Sequence, residues 1–291
     1  MIRWKGIVNV VVVVTLAHSA FALNNRSAVS ASGLDTNPCT VSSPCRSFTS
    51  ALAQTAYQGE VIALDSAGYG SFIVSQDVIV SGAPGIHAGI TASTGNVITV
   101  TNGFNVTLNN LFIMGNSSGA YGIQNTGATL HVLNCYFTNV SNGAAIGTTG
   151  TTGVTPATYV DHCTFIHNVY SAIFADGSGA VDHCTVHDGD VRIMATDSTC
   201  TTHVSVSDST FEDSDIGLSS SAGTVPRLVV VRCFLPETST LFVTASAGSA
   251  VVSLSDSYFQ SVSASGSYTM YSFGNNAINS LSATLTKLTL Q

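Results

Sequence analysis

The sequence predicts an all-β chain, a single-stranded parallel β-helix. Three observations lead there. First, a six-residue phrase recurs, clearest as Val160-Asp161-His162-Cys163-Thr164-Phe165 and Val181-Asp182-His183-Cys184-Thr185-Val186. Its copies start at Leu108, Val132, Val160, Val181, Val206, Val230 and Leu254, in steps of 24, 28, 21, 25, 24 and 24 residues. A period in the twenties marks a stacked array. Second, the phrase is made of Val, Thr, Phe, Tyr, Ser and Asn in short runs bounded by Gly, Asn and Ser, which is strand chemistry. Third, its parity needs a corner. The fourth and sixth residues share a face, and the first also wants burial but lies an odd number of residues away. One residue must therefore reset the alternation. The third position holds Asn110, Asn134, His162, His183, Asp208, Arg232 and Asp256, and Asn, Asp and His best tolerate a left-handed backbone.

Stacked coils turn these positions into columns, one strand spacing apart. Leu111, Cys135, Cys163, Cys184, Ser209, Cys233 and Ser257 form one expected inner ladder, and Ile113, Phe137, Phe165, Val186, Phe211, Leu235 and Phe259 its neighbour. The ladder cysteines read as small buried hydrophobes. Zinc binding needs converging ligands, whereas a stack presents its sulfurs in a row.

The elements follow in order. Residues 1–22 read as a secretory signal peptide, with Arg3 and Lys5 before an apolar run and Ala20-Phe21-Ala22 before the cleavage point. Residues 23–58 hold a polar, mobile leader, a Cys-Pro loop and one helical pattern over Ser47–Tyr57, with Phe48, Ala51, Leu52 and Thr55 on one face. That helix is expected to cap the open end of the array. Residues 59–291 are the β-helix, with roughly eight to ten coils. Loops are expected at 115–122, 143–158, 195–202 and 219–225, where binding grooves form on such spines. The tail from Ser265 loses the phrase and keeps only alternation, so self-association through the C-terminal coil is an option. Cys39 and Cys45, with five residues between them around Ser43-Pro44, suggest a local disulfide, which export permits.

The phrase, its spacing and the Asn-type corner resemble the right-handed parallel β-helix proteins of the pectate-lyase-like superfamily, from about Gly59 onward. The resemblance implies a right-handed coil. The run Pro44-Cys45-Arg46-Ser47-Phe48, then Gly59-Glu60-Val61 and Gly68-Tyr69-Gly70, is similar to the start of bacterial secreted β-helix proteins of unassigned activity. The superfamily spans lyases, hydrolases, epimerases, adhesins and inert spines, so the likeness leaves function open.

Composition narrows the partners. Without Arg3 and Lys5 the chain carries 6 basic against 16 acidic residues, a net charge of −10. That argues against nucleic acid and anionic membrane. No segment after residue 22 is long and apolar enough to span a bilayer. The expected location is secreted, periplasmic or cell-surface, with a polysaccharide or cell-surface glycan as the candidate partner.

The densest charged patch comes from two copies in register, His187-Asp188-Gly189-Asp190-Val191 and Glu212-Asp213-Ser214-Asp215-Ile216. One column is Asn139, His167, Asp188, Asp213, Glu237 and Ser261; the next is Ser141, Val169, Asp190, Asp215, Ser239 and Ser263. Arg192 follows on an outward position. Three readings stand. Asp188, Asp190, Asp213 and Asp215 with Arg192 suit a polysaccharide lyase or glycoside hydrolase. Asp188 and Asp213 suit a Ca²⁺ site, though no cofactor is required. Or the carboxylates are solvated corner residues, since Asp suits turns. His167, His187, Glu212 and Glu237 flank the patch as candidate substrate contacts. Signature motifs of the lyases and polygalacturonases are absent. The primary expectation is therefore a carbohydrate-binding or scaffolding protein, with catalysis and end-to-end stacking as alternatives.

Overall fold

The phrase forms two strands hinged at its third residue. In one copy the strand Ala157–Asp161 turns at His162 and resumes as Thr164–Ile166. The structure, a computed structural model, describes residues 23–115, 121–221 and 223–288, and the expected signal peptide at 1–22 lies outside them. Each third-position residue sits in the left-handed region: Asn110 at φ 54°, Asn134 52°, His162 51°, His183 47°, Asp208 48°, Arg232 50° and Asp256 49°. Arg232 is the unusual residue there. Its guanidinium is held by Asp208 in the coil before, at 2.6 and 2.5 Å, which fixes the corner from outside.

The register follows the phrase. Val132 pairs in parallel with Leu108 and Val160, Val181 with Val160 and Val206, and Val230 with Val206 and Leu254. Phe137 pairs with Ile113 and Phe165, and Val186 with Phe165 and Phe211. Both inner ladders are buried throughout. The rings of Phe137 and Phe165 stack at 4.8 Å and 8°. Cysteine and serine share one column because both can bond the backbone from the same place. Cys184 Sγ donates to Asp182 O at 3.1 Å and Ser209 Oγ to Ser207 O at 2.6 Å. Ser209 Oγ in turn accepts from Cys184 N at 3.0 Å. Burial and then the Cys135 thiol push Cys163 up, the Cys163 thiol and then burial push Cys184 up, and burial pushes Cys233 up to about 12, so these thiols stay protonated near neutrality.

A second corner in each coil leads to a third strand. These strands, Tyr121–Asn125, Ala144–Thr149, Tyr170–Ala175, Asp190–Ala195 and Ile216–Ser220, also pair in parallel. The result is a parallel β-solenoid of about 8 turns.

Three local expectations change. The polar leader is a strand, Asn24–Val29, whose Ser27, Ala28 and Val29 are buried against Thr55–Ala63. The helix is only Phe48–Ala53, capped by Ser47 Oγ accepting from Ser50 N at 3.2 Å. Thr55 and Tyr57, with β-favouring side chains, already belong to the next strand. Part of the expected loop 143–158 is the buried strand Ala144–Thr149, whose small residues mimic loop composition. The C-terminal tail continues the ladder, with Tyr258–Phe273 pairing to Ala277–Ser282 and Thr286–Leu288. Cys39 and Cys45 are joined by a disulfide, with Cα atoms 4.6 Å apart.

Candidate functional site

The second corner explains the first duty of the acidic residues. Asn139, His167, Asp188, Asp213 and Glu237 all have positive φ, between 49° and 60°. Asp188 and Asp213 are therefore turn residues before anything else. The ladder places them in adjacent coils, since His187 pairs with Glu212. Their carboxylates nonetheless turn to different neighbours. Asp188 Oδ2 lies 3.3 Å from His167 Nε2 and 3.1 Å from His187 Nδ1. The second contact is close but misaligned, and buried His187 Nδ1 makes no hydrogen bond. Asp213 Oδ1 accepts from Thr238 Oγ1 at 2.5 Å. Glu212 stands 4.0 Å from His187 Nε2, and Glu237 is an exposed corner. Among the described residues, the groups whose ligand atoms converge on a common point are Asp161, His162 and His183, and Asp182, His183 and Asp208. Asp188 and Asp213 belong to neither, so the Ca²⁺ expectation gains no geometric support from that pair.

Asp190 and Asp215 behave differently. Each uses one oxygen to hold the next coil. Asp190 Oδ1 accepts from Asp215 N at 2.8 Å, and Asp215 Oδ1 accepts from Thr240 N at 2.7 Å. Asp190 Oδ2 takes Arg192 Nη2 at 2.6 Å. Burial, helped by the Asp190 charge, pushes the Asp215 carboxyl up against the opposing pull of Thr240 N–H and Arg192.

Arg192 is the centre of the site. Its guanidinium carbon lies 4.3 Å from the Phe242 ring centroid and 5.7 Å from that of Tyr170. The register builds this contact: Arg192 pairs with Gly217, and Gly217 with Phe242. A Cβ at Gly217 would come within 2.3 Å of Phe242 Cζ and 2.8 Å of Arg192 Nη1. The glycine is thus the gap over which cation and ring meet. Arg192 Nε is buried without a hydrogen-bond partner, so stacking and one carboxylate hold the side chain. Tyr170, Ile173, Arg192, Met194, Gly217 and Phe242 line an open cleft of about 500 Å³. A second ring-lined groove, with Phe112 and Tyr136 stacked at 4.8 Å, has no Asp, Glu, Lys or Arg in its wall.

Two outer-column assignments from sequence shift by one residue. Tyr170, and not Val169, stands beside Asp190, because the register slips by one residue between the Ile166–His187 and Tyr170–Asp190 pairs. Thr240, and not Ser239, stands beside Asp215, because the register slips by one residue between the Thr210–Phe234 and Ile216–Leu241 pairs. Tyr170, Gly217 and Phe242 were not anticipated. The signal was there in the equal spacing of Arg192, Gly217 and Phe242, one coil apart each.

The repeat array decides the class of molecule. The chain is a parallel β-helix repeat protein. No family model matches it, and neither does any curated protein. Two solved structures illustrate what it is similar to. One is tailspike protein gp49 from Acinetobacter baumannii bacteriophage Fri1, a capsular polysaccharide depolymerase, at 15% identity, over 77% of this chain and 49% of that one, with a TM-score of 0.46. The other is the GH136 lacto-N-biosidase from Eubacterium ramulus, at 8% identity, over 91% of this chain and 68% of that one, with a TM-score of 0.46. The chain spans about half the length of the tailspike. No helix among the described residues is long and apolar enough to cross a membrane.

Proposed function

We propose that this is a secreted or surface-associated β-helix protein that binds carbohydrate in the cleft of Tyr170, Arg192 and Phe242. The observation that carries the proposal is the arginine laid across Phe242 at 4.3 Å while tied to Asp190 at 2.6 Å. It joins apolar ring faces and a guanidinium fixed by a carboxylate behind it in one cleft. The C–H face of a sugar packs on the rings, and its hydroxyls meet the guanidinium. The net negative charge favours a neutral glycan over a polyanion.

Binding fits the geometry better than hydrolysis. A two-carboxylate mechanism needs both groups available. Asp190 spends both oxygens on Asp215 N and Arg192, which leaves Asp215 Oδ2 as the one uncommitted oxygen of the pair among the described residues. In the same account, residues 1–22 direct export, the coil is right-handed, and the Phe48–Ala53 helix closes the first turn. Phe48 packs there on Tyr69 and Phe72 at 5.3 and 4.8 Å.

The test is a screen of purified protein against neutral and acidic glycans, read both as retention and as release of reducing ends or unsaturated uronates. Retention lost in Phe242→Ala and Arg192→Ala is the expected result. Failure to retain any glycan would end the proposal. Product formation abolished by Asp215→Asn would replace it with a hydrolase or lyase.

A further inference from the structure

We propose that the corner formed by Asp161, His162 and His183 binds a divalent transition-metal ion of the zinc class. The site is separate from the cleft and does not depend on its function. It arises because two successive coils place histidine at the same left-handed corner, where other coils carry Asn, Asp or Arg. The imidazoles stack 4.7 Å apart at 8°. Both turn Nδ1 toward one carboxylate oxygen, Asp161 Oδ1, at 2.7 Å from His162 and 3.7 Å from His183. The three ligand atoms lie within 4.8 Å of one another. Asp182 Oδ2, 3.1 Å from His183 Nδ1, is the nearest further donor.

Chemistry selects the ion. Two imidazole nitrogens and a carboxylate suit zinc, nickel or copper, whereas calcium asks for six to eight oxygens. A four-coordinate zinc holds its ligands at about 2.0–2.2 Å. The exposed rings can close on it by turning about their side-chain bonds, because packing does not lock them: His162 and His183 are 59% and 50% exposed. The neighbouring group of Asp182, His183 and Asp208 is the poorer host. Asp208 is already clamped by Arg232 at 2.6 and 2.5 Å, and that guanidinium repels a second cation. The other histidine pair, His167 and His187, also faces one oxygen, Asp188 Oδ2, but its rings stand 6.1 Å apart at 78°, and the trio is not among the groups whose ligand atoms converge.

The experiment is calorimetric titration of the metal-free full chain with zinc chloride and, separately, calcium chloride, repeated with cobalt to read its visible absorption. A single zinc equivalent and no calcium binding at this corner are expected. His162→Asn/His183→Asn is the informative variant, because Asn110 and Asn134 hold the same corner at φ 54° and 52°. Its melting temperature checks folding. Zinc affinity should fall by more than about a hundredfold, beyond the loss typical of an outer-shell partner, and the cobalt spectrum should vanish. His167→Asn/His187→Asn should retain both. Absence of zinc uptake by the wild type, or undiminished uptake by folded His162→Asn/His183→Asn, overturns the proposal.

Discussion

Gly217→Ala separates the cleft from the fold that carries it. The glycine has an ordinary backbone angle, so the added methyl meets only side chains. Its Cβ would stand 2.3 Å from Phe242 Cζ and 2.8 Å from Arg192 Nη1. Carbon atoms pack at about 3.5–4.0 Å, so the ring must withdraw by at least about 1.2 Å. Both obstacles are the ends of flexible groups, which keeps the overpacking cost near the low end of about 1–3 kcal/mol. Alanine in a strand regains about 0.5–1 kcal/mol over glycine. With the Arg192–Phe242 contact also lost, the net cost is about 0.5–2.5 kcal/mol, and the melting temperature should fall by no more than about 10 °C. The Arg192–Phe242 contact, worth about 0.5–2 kcal/mol, is lost with the ring's position. Circular-dichroism melts and affinity for the glycan retained by wild type are the two measurements. A folded Gly217→Ala protein that binds as well as wild type would refute the cleft.

Other outcomes follow from particular contacts. Burial raises the Asp215 carboxyl above its unfolded value, so its contribution to stability is greatest in acid and is lost as pH rises through the folded pKa. Asp215→Asn, which can still accept from Thr240 N, should therefore be at least as stable as wild type at pH 7, with that advantage gone in acid, by urea melts across pH. Asp208 has the opposite sign. Its hydrogen bonds from Arg232 lower its pKa, so its contribution is present above the usual carboxylate range and lost as pH falls through the folded value. Asp208→Asn should weaken the protein at pH 7 and match it in strong acid. Phe165→Ala removes a ring that is 1% exposed and stacked on Phe137, at a cost of about 3–5 kcal/mol. Cys184→Ser should be far milder, because Ser209 and Ser257 already fill that column and make the same bond to the carbonyl two residues back, in a urea melt of each variant.

The spine was legible because every coil makes the same two demands, burial at three phrase positions and a left-handed corner at one. Seven third-position residues meet the second demand with φ between 47° and 54°. The third strand was harder to read. Ala144–Thr149 is rich in Ala, Gly and Thr, so composition alone resembles a loop, and its burial comes from neighbouring coils. Within the site, the coil step brought Asp190 to Asp215 and Asp188 toward Asp213. Sequence spacing does not set which way a side chain turns, and His167 and Thr238 draw the latter two carboxylates apart. A register slip of one residue between Ile166 and Tyr170 was enough to exchange Val169 for Tyr170 at the cleft wall. Phe242 lay outside the phrase and needed the coil step counted through Gly217.

Everything at the cleft and the metal corner depends on residues from successive coils lying side by side. Cysteine pairs on the outer face measure that directly. In a Cys200→Ser background, Thr185→Cys/Thr210→Cys places two thiols on paired Cα positions, about 4.8 Å apart. Thr185→Cys/Phe234→Cys places them one coil farther apart. A short bifunctional thiol reagent, followed by peptide mass spectrometry, should join the first pair and leave the second unlinked. Equal linking of both pairs, or of neither, would contradict the stacked register.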